Sequence, residues 1–263
     1  MHRLISFVLV FCTAASTVAQ TGYTWVHGAI VRGDTSKKQL ALVFTGDEFA
    51  DGGAFISRTL KEHNTTASFF FTGRFYRNPA FKGLVQALKQ DGHYLGAHSD
   101  QHLLYCNWGN RDSLLVTKKQ FKKDLQRNYA AMRHFGIRKN KARYFLPPFE
   151  WYNATIAGWT GELGLQLINF SPGTLSHADY TTPEARNYRD SEAIFQSIVR
   201  FEKEKGLNGF ILLLHVGTDP RRNDKFYHRL PELLLWLRSK NYQTVSINEL
   251  LNIQRHAVYP IPF

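Results

Sequence analysis

Short apolar, β-prone runs alternate with longer helical patterns along nearly the whole chain, and this alternation limits the fold more than any other feature. The strand-like runs are "QLALVF", "TASFFF", "HYLGAH", "RYFLP", "LQLINF", "GFILLLH" and "QTVSI". Between them lie helix-like "GAFISRTLKEH", "PAFKGLVQALKQ", the amphipathic "VTKKQFKKDLQRNYAAMRHF", "NATIAGWTGELG", "SEAIFQSIVRFEKEK" and "KFYHRLPELLLWLRSK", and a short "INELLNIQ" closes the series. About seven β/α units in one chain predict a parallel sheet, open or closed into a barrel. In both forms reactive side chains gather at the C-terminal ends of the strands, so those ends are where chemistry is sought.

The first 19 residues stand apart from this pattern. "MHRLISFVLVFCTAASTVA" has a basic start, an apolar stretch from Leu4 to Phe11 and small residues up to Ala19. That is the anatomy of a secretory signal peptide cleaved after Ala19. A retained membrane anchor fits less well, because the apolar stretch is far shorter than the roughly 20 residues a bilayer requires. A lipoprotein reading of Cys12 is opposed by the bulk of Phe11. The expectation is residues 1–19 as leader, residues 20–263 as one domain, and a periplasmic or extracellular protein without stable membrane insertion. Cys106 would then be the only cysteine of the mature chain, so no internal disulfide forms. A domain of this length, 43% of it hydrophobic, can stand on its core alone.

Formal net charge is +12, spread along the chain with short clusters at "VTKKQFKKDLQR" and "RKNKAR". A basic surface suits nucleic acid, but an exported protein rarely meets it, so nucleic acid is not the expected partner. An anionic glycan or cell-envelope surface fits better, and the plainest role of these lysines is to solvate helix faces. "NTT" at 64–66 and "NAT" at 153–155 would accept glycans only in a host that glycosylates them.

At the predicted strand ends the residue types change. The first strand runs into "FTGDEFADGG", with Asp47 and Glu48 adjacent and Asp51 a weaker candidate on the same loop. Acids there can be simple turn formers. The third strand leads to "GAHSDQH", where His98 and His102, four apart, would share one face of a helical turn and one metal ion. The fourth ends in "FLPPFEW", whose prolines fix an extended turn, and the fifth in "NFSPGTLSHADY". The sixth ends at His215, which could equally be a core histidine satisfied by a carbonyl. Two histidines and a carboxylate with open positions make a common catalytic metal set.

Taken in order, the acid pair, "ASFFFTG", "HSDQH", the "PP"-aromatic turn and the late "GFILLLH" resemble the polysaccharide deacetylases of carbohydrate esterase family four, from about Lys38 to Ile247. The resemblance implies a deformed (β/α) barrel and a metal-dependent hydrolase that removes acetyl groups from an N-acetylated oligo- or polysaccharide. O-acetyl ester cleavage of the xylan type, or a catalytically impaired glycan-binding member, are the alternatives. It implies one divalent ion, Zn2+ first and Co2+ or Ni2+ next, on Asp47, His98 and His102. Glu48 would be the general base, with the roles of Asp47 and Glu48 open to exchange. His215, kept protonated by Asp179, would serve as the acid. The backbone N–H of Phe149 would hold the oxyanion, while Leu213 and Trp151 would line the acetyl pocket and sugar platform, with Trp108 a further aromatic. Two features depart from the family. Its adjacent aspartates directly follow a Thr-Phe, whereas here Thr45-Gly46 intervene, so a bulge or bend at Gly46 is expected to re-aim the acids. Its arginine before the prolines is replaced by Leu146, and Arg143 points elsewhere.

Overall fold

The computed structural model describes residues 22–252. The leader expected at residues 1–19 lies outside them. In chain order the elements are β1 (Thr24–Val26), β2 (Ala29–Arg32), β3 (Gln39–Gly46), α1 (Gly53–Glu62), β4 (Ser68–Phe71), α2 (Gly73–Arg77), α3 (Lys82–Gln90), β5 (Tyr94–Ala97) and α4 (Lys118–Arg133). There follow β6 (Tyr144–Phe145), α5 (Ala154–Glu162), β7 (Gln166–Leu167), α6 (Ser191–Lys205), β8 (Phe210–His215), α7 (Leu230–Ser239), β9 (Gln243–Thr244) and α8 (Ile247–Leu250).

The seven strands read from the sequence are all present and all parallel. Six run side by side in the order β8-β3-β4-β5-β6-β7, and β9 pairs with the start of β3. Their near-continuous apolar character follows from burial on both faces: Leu40 to Phe44, Phe69 to Phe71 and Phe210 to Leu213 have no exposed surface. Stacked Phe44 and Phe69, ring centroids 5.1 Å apart, join β3 to β4 in the core.

A hairpin, β1–β2, was not legible in the pattern. It turns at His27-Gly28, both with positive φ (45° and 82°), and β1 is exposed throughout. β2 closes the fold. On one side it pairs antiparallel with β8 (Arg32 opposite Phe210), and on the other Ile30 bridges Ile168, just past β7. The segment after Ile168 completes the seam. The Asn169 N–H donates to the Ile30 carbonyl (3.0 Å), the Ser171 hydroxyl to the Val31 carbonyl (2.5 Å), and the Ile211 N–H to the Ser171 hydroxyl (2.9 Å). The result is a deformed barrel with a hairpin set into the gap between its first and last parallel strands.

Helix starts follow capping chemistry. Thr117 and Gln120 form a capping box at α4, and Asp190 caps α6. Asn153 caps α5, accepting from the Ile156 N–H (3.0 Å) while donating to the Arg111 carbonyl (3.0 Å), and is buried. A glycan at "NAT" would have to displace those contacts, so that reading fails. Helix α2, five residues long, is too short for periodicity to reveal; Thr72 caps it by accepting from the Phe75 N–H. Among the described residues no helix is long and apolar enough to cross a membrane.

Candidate active site

Parallel register brings the strand ends to one rim. Thr45 of β3 lies opposite His215 of β8, and Gly46 opposite Phe71 of β4, which in turn lies opposite Ala97 of β5. Asp47, Thr72 and His98 each stand one residue beyond. The bulge expected at Gly46 is absent: β3 holds its register through that residue. The displacement of the acids has a steric cause instead. A Cβ at Gly46 would come within 2.6 Å of a Val216 methyl and 2.9 Å of the Phe71 ring, so no acid fits there.

Asp47 is half-buried and fully engaged. It accepts from the Thr72 hydroxyl (2.8 Å), and Arg74 of α2 grips both carboxylate oxygens through Nε (2.5 Å) and Nη2. Burial opposes the Asp47 charge, but Arg74, His102 and Thr72 outweigh it and hold the carboxyl below its ordinary pKa. His102 Nδ1 lies 3.9 Å from Asp47.

"HSDQH" is a loop, not the helical turn expected, with Ser99 and His102 at φ 72° and 54°. Asp124 fixes this path by accepting from the backbone N–H groups of Asp100 and Gln101. The two imidazoles still meet, ring centroids 5.0 Å apart. Burial, then the neighbouring His102, pushes His98 down to about 3; burial likewise pushes His102 down to about 4. Both rings are therefore neutral at pH 7. His98 Nδ1 lies 2.8 Å from the Leu146 carbonyl, which has no proton to give, so Nδ1 carries the hydrogen and Nε2 keeps a free lone pair. Leu146, in the place of the family's arginine, thus acts through its main chain, while Arg143 is exposed.

Asp47, His98 and His102 have the donor types a divalent cation of the zinc kind prefers, and the His98 tautomer suits ligation. Among the described residues, however, no three carboxylate, imidazole or thiolate groups are close enough to hold an ion as they stand. Arg74 occupies the carboxylate of the set.

His215 is gripped twice by Asp179, ring Nδ1 at 2.6 Å and backbone N–H at 2.9 Å. Burial alone would lower its pKa, but the charge and hydrogen bond of Asp179, with Glu150 behind them, raise it above the ordinary value. Tyr180 covers the ring at 4.7 Å between centroids.

The remaining sequence candidates lie as follows. Glu48 is 62% exposed, 3.6 Å from Arg74, on the wall of a cleft it shares with Phe49, Phe81 and Leu84. Asp51 braces two loops, accepting from the Thr218 N–H (2.7 Å) and Tyr227 hydroxyl (3.0 Å) and pairing with Lys225 (3.0 Å). Leu213 is enclosed in mid-strand opposite Val43. Phe149, at φ 57°, lays its ring 4.3 Å from His102 and 5.7 Å from Trp108. Trp108 is 57% exposed and lies 5.3 Å from Trp151, whose other neighbour is the Arg111 guanidinium at 3.5 Å. Phe149, Trp108 and Trp151 form an aromatic wall beside His102.

Three residues escaped the sequence reading. Arg74, in "TGR" just past a strand, and Tyr180, beside Asp179, carried only positional hints. Glu150 stands one residue past the two prolines, after Phe149, and an acid at that corner was the one signal that could have found it. Phe149 and Glu150 both take positive φ (57° and 52°), an uncommon conformation for two successive non-glycine residues. Burial pushes the Glu150 carboxyl up to about 7 against the pull of His215.

The profile of the family described as polysaccharide deacetylase matches residues 32–168. A peptidoglycan-N-acetylglucosamine deacetylase of Bacillus cereus is 26% identical over 196 residues, covering 73% of this chain and 78% of that protein. PdaA of Bacillus subtilis, a family 4 carbohydrate esterase of known structure, superposes with a TM-score of 0.65 at 21% identity, covering 85% of either chain. BA3943 of Bacillus anthracis, described as a pseudoenzyme of carbohydrate esterase family four, gives 0.65 at 18% identity over 86% of this chain and 69% of that one. Both superpositions bear out the deformed (β/α) barrel.

Proposed function

Because the chain belongs to the polysaccharide deacetylase family, we propose that it is an exported hydrolase removing acetyl groups from an N-acetylated carbohydrate, with one divalent ion, zinc first, on Asp47, His98 and His102. The observation that carries this reading is the pairing of His215 with Asp179 on the same rim as two neutral imidazoles. A divalent ion held there would acidify a bound water. Asp47 must exchange Arg74 for the ion, while His98 needs no rearrangement of its Nδ1 hydrogen bond. His215 donates a proton to the departing nitrogen, and Asp179 stabilises the imidazolium until it does. The Phe149 N–H is assigned to the oxyanion, and Trp108 and Trp151 to a sugar face. Relatives named as peptidoglycan deacetylases support an N-acetylated glycan as substrate. Residues 1–19 are assigned to export, leaving 20–263 as one domain outside the cytoplasm, and N-terminal sequencing of the mature protein checks the Ala19 boundary.

A second reading has one observation in its favour. With Arg74 on Asp47, a member of this fold can hold glycan without turning it over. The test is acetate release by zinc- or cobalt-loaded protein from N-acetylglucosamine oligomers and from acetylated xylan, beside metal analysis. Release from the oligomers, abolished in His98→Ala, supports the proposal. Release from xylan alone moves the activity to O-acetyl esters. Glycan binding without acetate or metal establishes the second reading.

A further inference from the structure

The proposed reaction needs an acceptor for the proton of the attacking water; Glu48, the base the family resemblance offers, is 62% exposed and 3.6 Å from Arg74. We infer that Glu150 is this general base, a role that rests on the hydrolase reading above.

Four observations converge. First, the corner that carries Glu150 is held in an uncommon shape: two successive left-handed residues follow Pro147-Pro148, and the Asn169 side-chain amide clamps the Glu150 carbonyl at 2.9 Å. Such strain persists only where surrounding structure enforces it, and it clusters at active sites. Second, this corner is shared with the site, because the Phe149 ring packs on His102 at 4.3 Å. Third, Glu150 is partly buried, and no hydrogen bond to its carboxyl is formed among the described residues; the charges and titrating groups that act on it belong to His215, Asp179 and Tyr180. His177 faces the Asp179–His215 pair as well, and Arg222 acts on His215. Fourth, the Thr45 hydroxyl is buried without a partner, and its strand register with His215 turns both side chains to the same face of the sheet. An unpartnered buried hydroxyl beside a charged dyad has bonding capacity that a water or substrate oxygen can take up.

The proton account closes with these residues. Glu150 takes one proton of water as the water oxygen bonds to the acetyl carbonyl carbon. The C–N bond then breaks, its electron pair goes to nitrogen, and nitrogen takes the proton of the His215 imidazolium. Amine and acetic acid leave, and the acid gives its proton to solvent. Glu150 is then neutral beside a neutral His215, and transfer of its proton to that imidazole restores both groups. A pKa near neutrality suits a base that must accept and return a proton in each cycle.

The test compares wild type with Glu150→Gln and Glu48→Gln, zinc-loaded and full-length, on an N-acetylglucosamine oligomer across pH. Glu150→Gln is expected to lose at least about 100-fold in kcat while KM stays within about threefold, and to lose the acidic limb of the profile. Unchanged circular dichroism separates this from unfolding. Infrared titration gives a readout independent of turnover: a carboxyl signal titrating near neutral pH in wild type and missing in Glu150→Gln. An active wild type matched by Glu150→Gln, or a larger loss in Glu48→Gln, overturns this assignment alone. A wild type that releases no acetate overturns the hydrolase reading and this role with it.

Discussion

Asp179 illustrates how much a single carboxylate fixes at this rim, since it sets both the ring and the backbone of His215. Asp179→Asn keeps the size but removes the anion, so the imidazolium is no longer favoured. We expect kcat to fall by about 100-fold or more, and the alkaline limb of the pH profile to move to lower pH, because His215 loses its proton earlier. Rate profiles of the folded variant check this. Glu150 gives a residue-scale prediction of a different kind. Its folded pKa, about 7, lies above the unfolded value near 4.5. The group therefore favours the folded state below that unfolded value, and the contribution is lost as pH rises through about 7. Relative to wild type, Glu150→Gln should gain stability progressively between those two values, by up to about 3 kcal/mol, then level off. Denaturant melts at pH 5 and pH 8 measure the difference. The histidines were legible in the sequence because they follow strand ends closely, whereas Asp179, twelve residues past β7, was reached only through the family resemblance. Glu150 and Arg74 were not legible, since what each reaches depends on another segment folding over it.

Among the elements, the loop from Asp47 to Asp51 is positioned by backbone contact as well as by side chains. A Cβ at Gly217, just past β8, would lie 2.4 Å from the Ala50 nitrogen and 2.5 Å from the Phe49 carbonyl carbon. Backbone cannot swing away as a side chain can. Gly217→Ala should therefore push the Asp47 loop off its seat, costing about 1–3 kcal/mol of stability and weakening metal uptake, with melting and zinc titration as the two measurements. The same scale shows why pattern reading succeeded unevenly. Strands buried on both faces are written as unbroken apolar runs, and all seven were found. A five-residue helix, an exposed hairpin strand and a histidine loop shaped by Asp124 leave no period in the sequence. "HSDQH" kept its histidines together by a route other than the helix its spacing suggested.

For the whole molecule, closure rests on the seam between β2, β8 and the segment after β7. Ser171 is its pin, donating to Val31 and accepting from Ile211 inside a fully buried setting. Ser171→Ala leaves a carbonyl and an N–H unpaired, and should cost about 1–3 kcal/mol with faster hydrogen exchange at Ile211 as the local sign. A barrel was foreseeable from the β/α alternation, but its closure was not, because the hairpin that fills the gap lies outside that rhythm. The seam also dictates a timetable. Val31 and Ser171 are 140 residues apart in sequence, and β8 comes later still, so the hairpin that opens the described chain is among the last elements to find its partners in the sheet. Loop-closure entropy delays such a contact until the intervening units have gathered. Until then the sheet is an open ribbon with unpaired edges at β7 and β8. Those edges are the surfaces most open to a chaperone, or to another unfinished copy, before the hairpin arrives.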